Sequence, residues 1–209
     1  MTYATFEIQA RQKGLVVLGG FHPSHDDLCP AGTGTLLLLG PDPETFWAML
    51  QGAPEVLGSD PVDNWSRRVI GTWACELGAK ALFPFGDPLR PFISWALRSE
   101  RCHISPATLL VHDTYGLMLS FRGALALREH VVLPAPPPSP CATCLDKPCL
   151  TTCPVGALGP GYDTDKCHAH LDTPNNDCMS KGCRVRRACP VSPLRPDAQS
   201  AHHMRYFHR

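Results

Sequence analysis

Eight cysteines fall between positions 141 and 189. They read Cys141-Ala-Thr-Cys144-Leu-Asp-Lys-Pro-Cys149-Leu-Thr-Thr-Cys153-Pro154, then Cys167, Cys178 and Cys183, then Cys189-Pro190. A four-iron cluster takes four thiolates, three from a tight local loop and a fourth from far away in sequence. Eight thiols therefore suffice for two [4Fe-4S] clusters, groups whose common task is to move single electrons. In two-cluster proteins the cysteine before proline in each run ligates the other run's cluster. That rule assigns Cys141, Cys144, Cys149 and Cys189 to one cluster, and Cys153, Cys167, Cys178 and Cys183 to the other. The spacing departs from the usual bacterial run. Four residues, not two, separate Cys144 from Cys149 and Cys178 from Cys183, and Cys167 stands alone. Zinc and disulfides remain as alternatives. A zinc ribbon pairs two Cys-x-x-Cys units where this chain has one, and disulfides are rare in a reducing compartment.

These thiols need a scaffold, and the sequence divides at its prolines. Residues 134–140 hold five prolines in seven positions, a semi-rigid spacer ending directly at Cys141. The expected organisation is a domain over 1–133, a linker over 134–140 and a cluster domain over 141–209. In the first of these, Gly14–Gly20 and Thr35–Leu39 read as short buried strands. The segment from Pro41 to Leu50 opens like a helix, and Asp60 stands before a longer one in which Trp65, Val69, Trp73 and Leu77 form an apolar stripe. Ala81–Phe85 reads as a strand end and Pro91–Arg98 as a short helix. Ala107–His112 and Leu117–Arg122, flanking Asp113-Thr-Tyr-Gly116, predict a β-hairpin with a glycine turn. The fold class expected is α+β with an antiparallel sheet. Downstream of Cys141, short turns and one-turn helices are expected.

Composition excludes several classes. The 209 residues carry 19 basic and 19 acidic side chains, a balance that argues against a general nucleic-acid binder. Charge is uneven: residues 1–140 are net −3 and residues 141–209 net +3, so the cluster domain suits an acidic redox partner. The longest apolar run, Thr35–Leu39, is far too short to cross a bilayer, and residues 1–7 lack the features of a signal peptide. A cytoplasmic protein with no membrane partner is expected. Outside the cluster run, Cys75 reads as a core residue, and Cys29 and Cys102 have no assigned role. Arg184, Arg186 and Arg187, between Cys183 and Cys189, are expected to raise a cluster's potential or guide a donor. His22-Pro-Ser-His25-Asp26-Asp27 reads as a polar loop, and Gly32-Thr-Gly34 as a fragment of a phosphate loop without its lysine. Trp47, Trp65, Trp73, Trp95, Phe83 and Phe85 read as core.

Two family resemblances follow. The order Cys141 to Pro154, Asp163-Thr-Asp-Lys-Cys167 and Gly182-Cys183 to Pro190 resembles epoxyqueuosine reductase and the reductive dehalogenases. In those families a corrinoid-binding domain is wired to a ferredoxin-type pair of [4Fe-4S] clusters. Asp60-Pro-Val-Asp63, Val111-His-Asp-Thr-Tyr-Gly116 and Ser120-Phe-Arg-Gly123 resemble the CblC-type cobalamin-processing proteins, which are flavin-reductase-like. The resemblance implies a nitroreductase or flavin-reductase-like first domain followed by a small ferredoxin-like domain. It implies cobalamin ahead of flavin as the cofactor, with His112, Gly116 and Arg122 as its contacts. It also implies an external donor such as flavodoxin or ferredoxin, and cobalamin-linked reduction, decyanation or dealkylation as the chemistry. The alternative is a simple ferredoxin-like electron carrier or docking partner with no small-molecule cofactor of its own.

Overall fold

A computed structural model describes residues 1–159 and 161–208. Its elements in chain order are α1 (Tyr3–Gln12), β1 (Leu15–Phe21), β2 (Thr35–Pro41), α2 (Phe46–Gln51), α3 (Pro61–Glu76), β3 (Lys80–Leu82), α4 (Phe92–Arg98), β4 (Cys102–Ile104), β5 (Leu110–His112), β6 (Gly123–Leu127), α5 (Thr164–Leu171), α6 (Asp177–Lys181), α7 (Arg184–Ala188) and α8 (Asp197–Phe207). The fold is mixed α+β, and its paired strands run antiparallel. The chain forms two compact units. One comprises 1–101 with 120–136, the other 102–119 with 137–209. This differs from a single border at 134–140: residues 102–119 leave the first unit and join the cysteines.

The first unit is built on a sheet of order β1-β2-β6-β3. Every residue of β2 and β6 is buried, which is why β2 reads as an unbroken apolar run rather than an alternating one. Leu37 faces Leu125 and Leu39 faces Gly123 in register. Leu15, Val17, Leu37, Leu39, Leu125 and Leu127 share one core with Phe6 and Ala10 of α1, Phe46 and Leu50 of α2, and Trp65, Ile70 and Trp73 of α3. Each such side chain contributes about 1.5–3 kcal/mol when fully buried.

Local chemistry sets the helix starts. Thr2 accepts the amide of Thr5 through its hydroxyl at 3.3 Å, opening α1, an element the sequence pattern does not announce. Asp60 opens α3 through its backbone carbonyl, which accepts from Asp63 and Asn64 at 3.1 Å each. Within α3, Trp65 and Trp73 are buried while Val69 and Leu77 are half-buried. Cys75 corrects its sequence reading: it lies on the far side of the helix and is exposed. Gly34 has a structural role. A Cβ there would sit 2.5 Å from the Arg128 carbonyl oxygen, and its amide donates to Leu127 at 2.8 Å, so the glycine allows β6 to approach. The ring of His22 stacks on His130 at 3.5 Å with Nδ1 2.9 Å from the Gly34 carbonyl, while His25 and Asp26 are fully exposed.

Candidate metal centre

The second unit starts with a hairpin in a different place from the expected one. β5 pairs with β4 before it, Cys102 facing His112 and Ile104 facing Leu110. Residues 117–122 form no strand. Instead, His112 and Gly116 exchange backbone hydrogen bonds at 3.0 Å, closing a tight turn. Side chains from the cysteine segment then take up the backbone of 117–119. Ser192 Oγ accepts the Leu117 amide at 3.0 Å, Arg186 donates to the Leu117 and Leu119 carbonyls at 3.1 and 3.3 Å, and Arg195 donates to that of Met118. These bonds, and a core of Ala107, Val111, Leu117, Cys149, Leu158 and Val185, tie the hairpin to the cysteines.

Short capped elements present the thiols. Ser139 opens a turn over Pro140–Ala142, and a second turn covers Pro148–Leu150 around Cys149. The Asp163 carboxylate accepts the Lys166 amide at 2.9 Å, starting α5 with Cys167 in its first turns. Asn176 accepts the Met179 amide at 2.9 Å, which starts α6 at Asp177 with Cys178 in its first turn, and donates to the Leu171 and Thr173 carbonyls at the end of α5. Cys183 and Cys189 bracket α7. α8 closes over this end, with Met204 packed beside Leu171 and Cys178.

The eight cysteines are free thiols, and they act on one another in two sets. Burial pushes the Cys141 thiol up first, and negative charge on Cys149, Cys189 and Cys144 adds to it. Cys149 is raised by burial and then by Cys189 and Cys144. In the other set, burial raises Cys167, with further pressure from Cys183 and Cys153, and burial followed by Cys183 raises Cys178. Cys153, Cys167, Cys178 and Cys183 also line one pocket. Hydrogen-bond donors face several of the sulfurs. The Ala157 amide donates to Cys153 at 3.2 Å and the Tyr162 hydroxyl to Cys167 at 3.5 Å, while amides of Ala107 and Arg184 offset the rise at Cys149 and Cys178. Burial, and then the bond to Cys167, in turn pushes the Tyr162 hydroxyl up.

Four buried or half-buried thiols per set, with N–H or O–H groups facing Cys149, Cys153, Cys167 and Cys178, match the donor set of a four-iron cluster. Bound iron would favour the thiolate form against the burial that chiefly raises Cys141, Cys149, Cys167 and Cys178. Among the described residues, no three His, Cys, Asp or Glu side chains are gathered to hold one metal ion.

The arginines between Cys183 and Cys189 are engaged in local contacts. Arg184 and Arg187 both grip Asp177, at 2.6 and 2.8 Å, and Arg186 holds the hairpin. Burial works against the charge on Asp177, yet hydrogen bonds from the two arginines hold its carboxyl below the usual range.

The three residues expected to contact a corrinoid are divided between the units. His112, fully buried in the second unit, accepts the Thr114 and Tyr115 amides through Nδ1 at 3.0 and 3.3 Å. Gly116 has φ +54°, and a Cβ there would lie 2.6 Å from the Ser192 nitrogen. In the first unit, Arg122 pairs with Asp63 at 3.1 Å and reaches Ser120 at 3.4 Å. Burial raises the Asp63 carboxyl more than Arg122 lowers it. No helix among the described residues is long and apolar enough to cross a membrane. Comparison with models of known protein families, with curated proteins and with solved structures gave no match in any of the three.

Proposed function

We propose that this chain is an iron–sulfur electron-transfer protein. Cys141, Cys144, Cys149 and Cys189 would hold one [4Fe-4S] cluster and Cys153, Cys167, Cys178 and Cys183 a second. One observation carries the reading: thiols far apart in sequence act on one another as two sets of four, and the second set lines a single pocket. Each bound cluster supplies a reversible one-electron couple. The chain's own residues bury the sulfurs, aim amide and hydroxyl donors at them and exclude water with the hairpin and α8. Residues 141–209 are read as ferredoxin-like and residues 1–133 as flavin-reductase-like, with flavodoxin or ferredoxin as the donor. Iron and sulfide analysis of anaerobically prepared protein, with electron paramagnetic resonance of the reduced form, tests the proposal. About eight irons with matching sulfide are expected. Stoichiometric zinc, or cystine bridges between the same sulfurs, would refute it.

The acceptor we propose is a corrinoid bound by residues 1–133, which rests on the family resemblance. A bound corrinoid would supply a reducible cobalt centre. A second reading, a carrier with no small-molecule cofactor of its own, is favoured by a specific observation. His112 and Gly116 are engaged in the packing of the second unit, and Arg122 is paired with Asp63. Anaerobic titration with hydroxocobalamin separates the two. A shift in its visible spectrum supports the corrinoid acceptor, and an unchanged spectrum with both clusters intact supports the carrier.

A further inference from the structure

The pocket lined by the second cysteine set includes one side chain that the proposed function does not use. His170 lies on α5 three residues after Cys167, so the two share a helix face, and both line that pocket. Its Nε2 is buried and has no hydrogen-bond partner among the described residues. Such an atom costs stability unless something satisfies it. The contrast with His168, on the same helix, is instructive. That ring is engaged by His208 at 3.3 Å and lies edge-on to Phe207. Around His170 the pocket offers sulfur: Cys153, Cys167, Cys178 and Cys183. The Tyr162 hydroxyl already serves the Cys167 sulfur. Four thiolates complete a four-iron cluster, so the imidazole is not needed as a ligand.

We propose that His170 is a positioning residue for the second cluster, its imidazole donating Nε2–H to a cluster or cysteine sulfur. This rests on the electron-transfer reading above. A donor on sulfur withdraws charge, stabilises the reduced state more than the oxidised one and raises the potential. The second cluster is thereby tuned by a side chain, separately from the first set, where the Ala107 backbone amide faces Cys149.

The test compares wild-type full-length protein with His170→Leu and His170→Gln, all prepared anaerobically. Iron content is measured first, then midpoint potentials by redox titration followed with electron paramagnetic resonance. His170→Leu should keep its iron, and one of the two potentials should move to a more negative value while the other stays. His170→Gln, which retains an N–H donor, should recover part of that shift. Pulsed resonance on wild type labelled with ¹⁵N-histidine should show a weakly coupled nitrogen that His170→Leu lacks, a readout that holds even where the leucine variant loads poorly. Two unmoved potentials at full iron content overturn the inference, and so does a strongly coupled nitrogen, which would make His170 a ligand. Wild-type protein without clusters would refute the electron-transfer reading itself and this inference with it.

Discussion

Gly116→Ala distinguishes a glycine that packs from one that leaves room for a ligand. Gly116 stands at φ +54°, where an L side chain costs roughly 1–2 kcal/mol. The added Cβ would lie 2.6 Å from the Ser192 nitrogen, 2.7 Å from its Oγ and 2.9 Å from its Cα. Two of the three are backbone atoms, so the loop must shift, and overpacking of this kind costs about 1–3 kcal/mol. Together the expected loss is about 3 kcal/mol. With a urea slope near 2 kcal/mol/M, the midpoint of the second unit should fall by about 1.5 M. Anaerobic urea unfolding, followed by the cluster's visible absorbance and by far-ultraviolet circular dichroism, reads this directly. Trimming Ser192 to alanine removes the Oγ contact but leaves the backbone nitrogen and Cα in place, so it should rescue the variant only in part, and it should itself cost about 1 kcal/mol for the lost acceptor of the Leu117 amide. A Gly116→Ala protein with an unchanged midpoint would refute the packing argument. Loss of hydroxocobalamin binding at unchanged stability would return the glycine to a ligand site.

Three further outcomes follow from the same geometry. Cys141→Ala and Cys189→Ala should each remove the same cluster, leaving about four irons, and the double variant should lose no more; Cys178→Ala should remove the other, as iron analysis and resonance spectra would register. Arg122→Met should cost the first unit about 1–3 kcal/mol at neutral pH by leaving Asp63 half-buried and uncompensated. The Asp63 carboxyl is already raised, so its charged form weakens the fold above its folded-state pKa and that penalty fades as pH falls through it. The difference between variant and wild type in denaturant melts should therefore shrink in acid. Cys29, pushed up to about 11 chiefly by burial and then by Asp27, should alkylate about 100-fold more slowly at pH 8 than a thiol at its ordinary value of 9.0, as mass spectrometry of iodoacetamide-treated protein would show.

How far the sequence reveals this molecule depends on where the determining contacts lie. β2 and α3 are legible because apolar runs and periods are properties of neighbours in the chain. α1 is not, since its core residues Tyr3, Phe6 and Ala10 share ten positions with an exposed Ile8. The hairpin is misread for a physical reason. Leu117–Phe121 has the alternation of a strand, but its carbonyls are claimed by Arg186 and Arg195, about 70 positions away. The same distance hides the hairpin contacts of Arg186, whereas Asp177 lies only seven and ten positions before Arg184 and Arg187. The cysteines behave differently. The spacing rule groups them from chain order alone, three of each four lying within 17 residues. The orphan nitrogen of His170 has no signature beyond its three-residue offset from Cys167.

The interleaving of the two units makes the proline-rich segment a poor place to cut. A fragment of residues 137–209 keeps all eight cysteines but loses residues 102–119. Arg186 would lose two carbonyl acceptors and Ser192 its amide donor, and hydrogen bonds to a charged group are worth about 1.5–3 kcal/mol each. Ala107, Val111 and Leu117 would leave the core around Cys149, with about 1.5–3 kcal/mol for each of the larger two. Against a domain stability of about 5–15 kcal/mol, losses of that size leave little fold to hold the metal. Cys149 would also lose the Ala107 amide that offsets its burial. The fragment should take up less than half the iron of the whole chain on anaerobic reconstitution, the set containing Cys149 failing first, and it should be cut rapidly by trypsin. Extending the fragment back to residue 102 should restore both properties in part. A 137–209 piece that loads fully and resists trypsin as the intact protein does would mean that the hairpin only leans on a self-sufficient cluster domain.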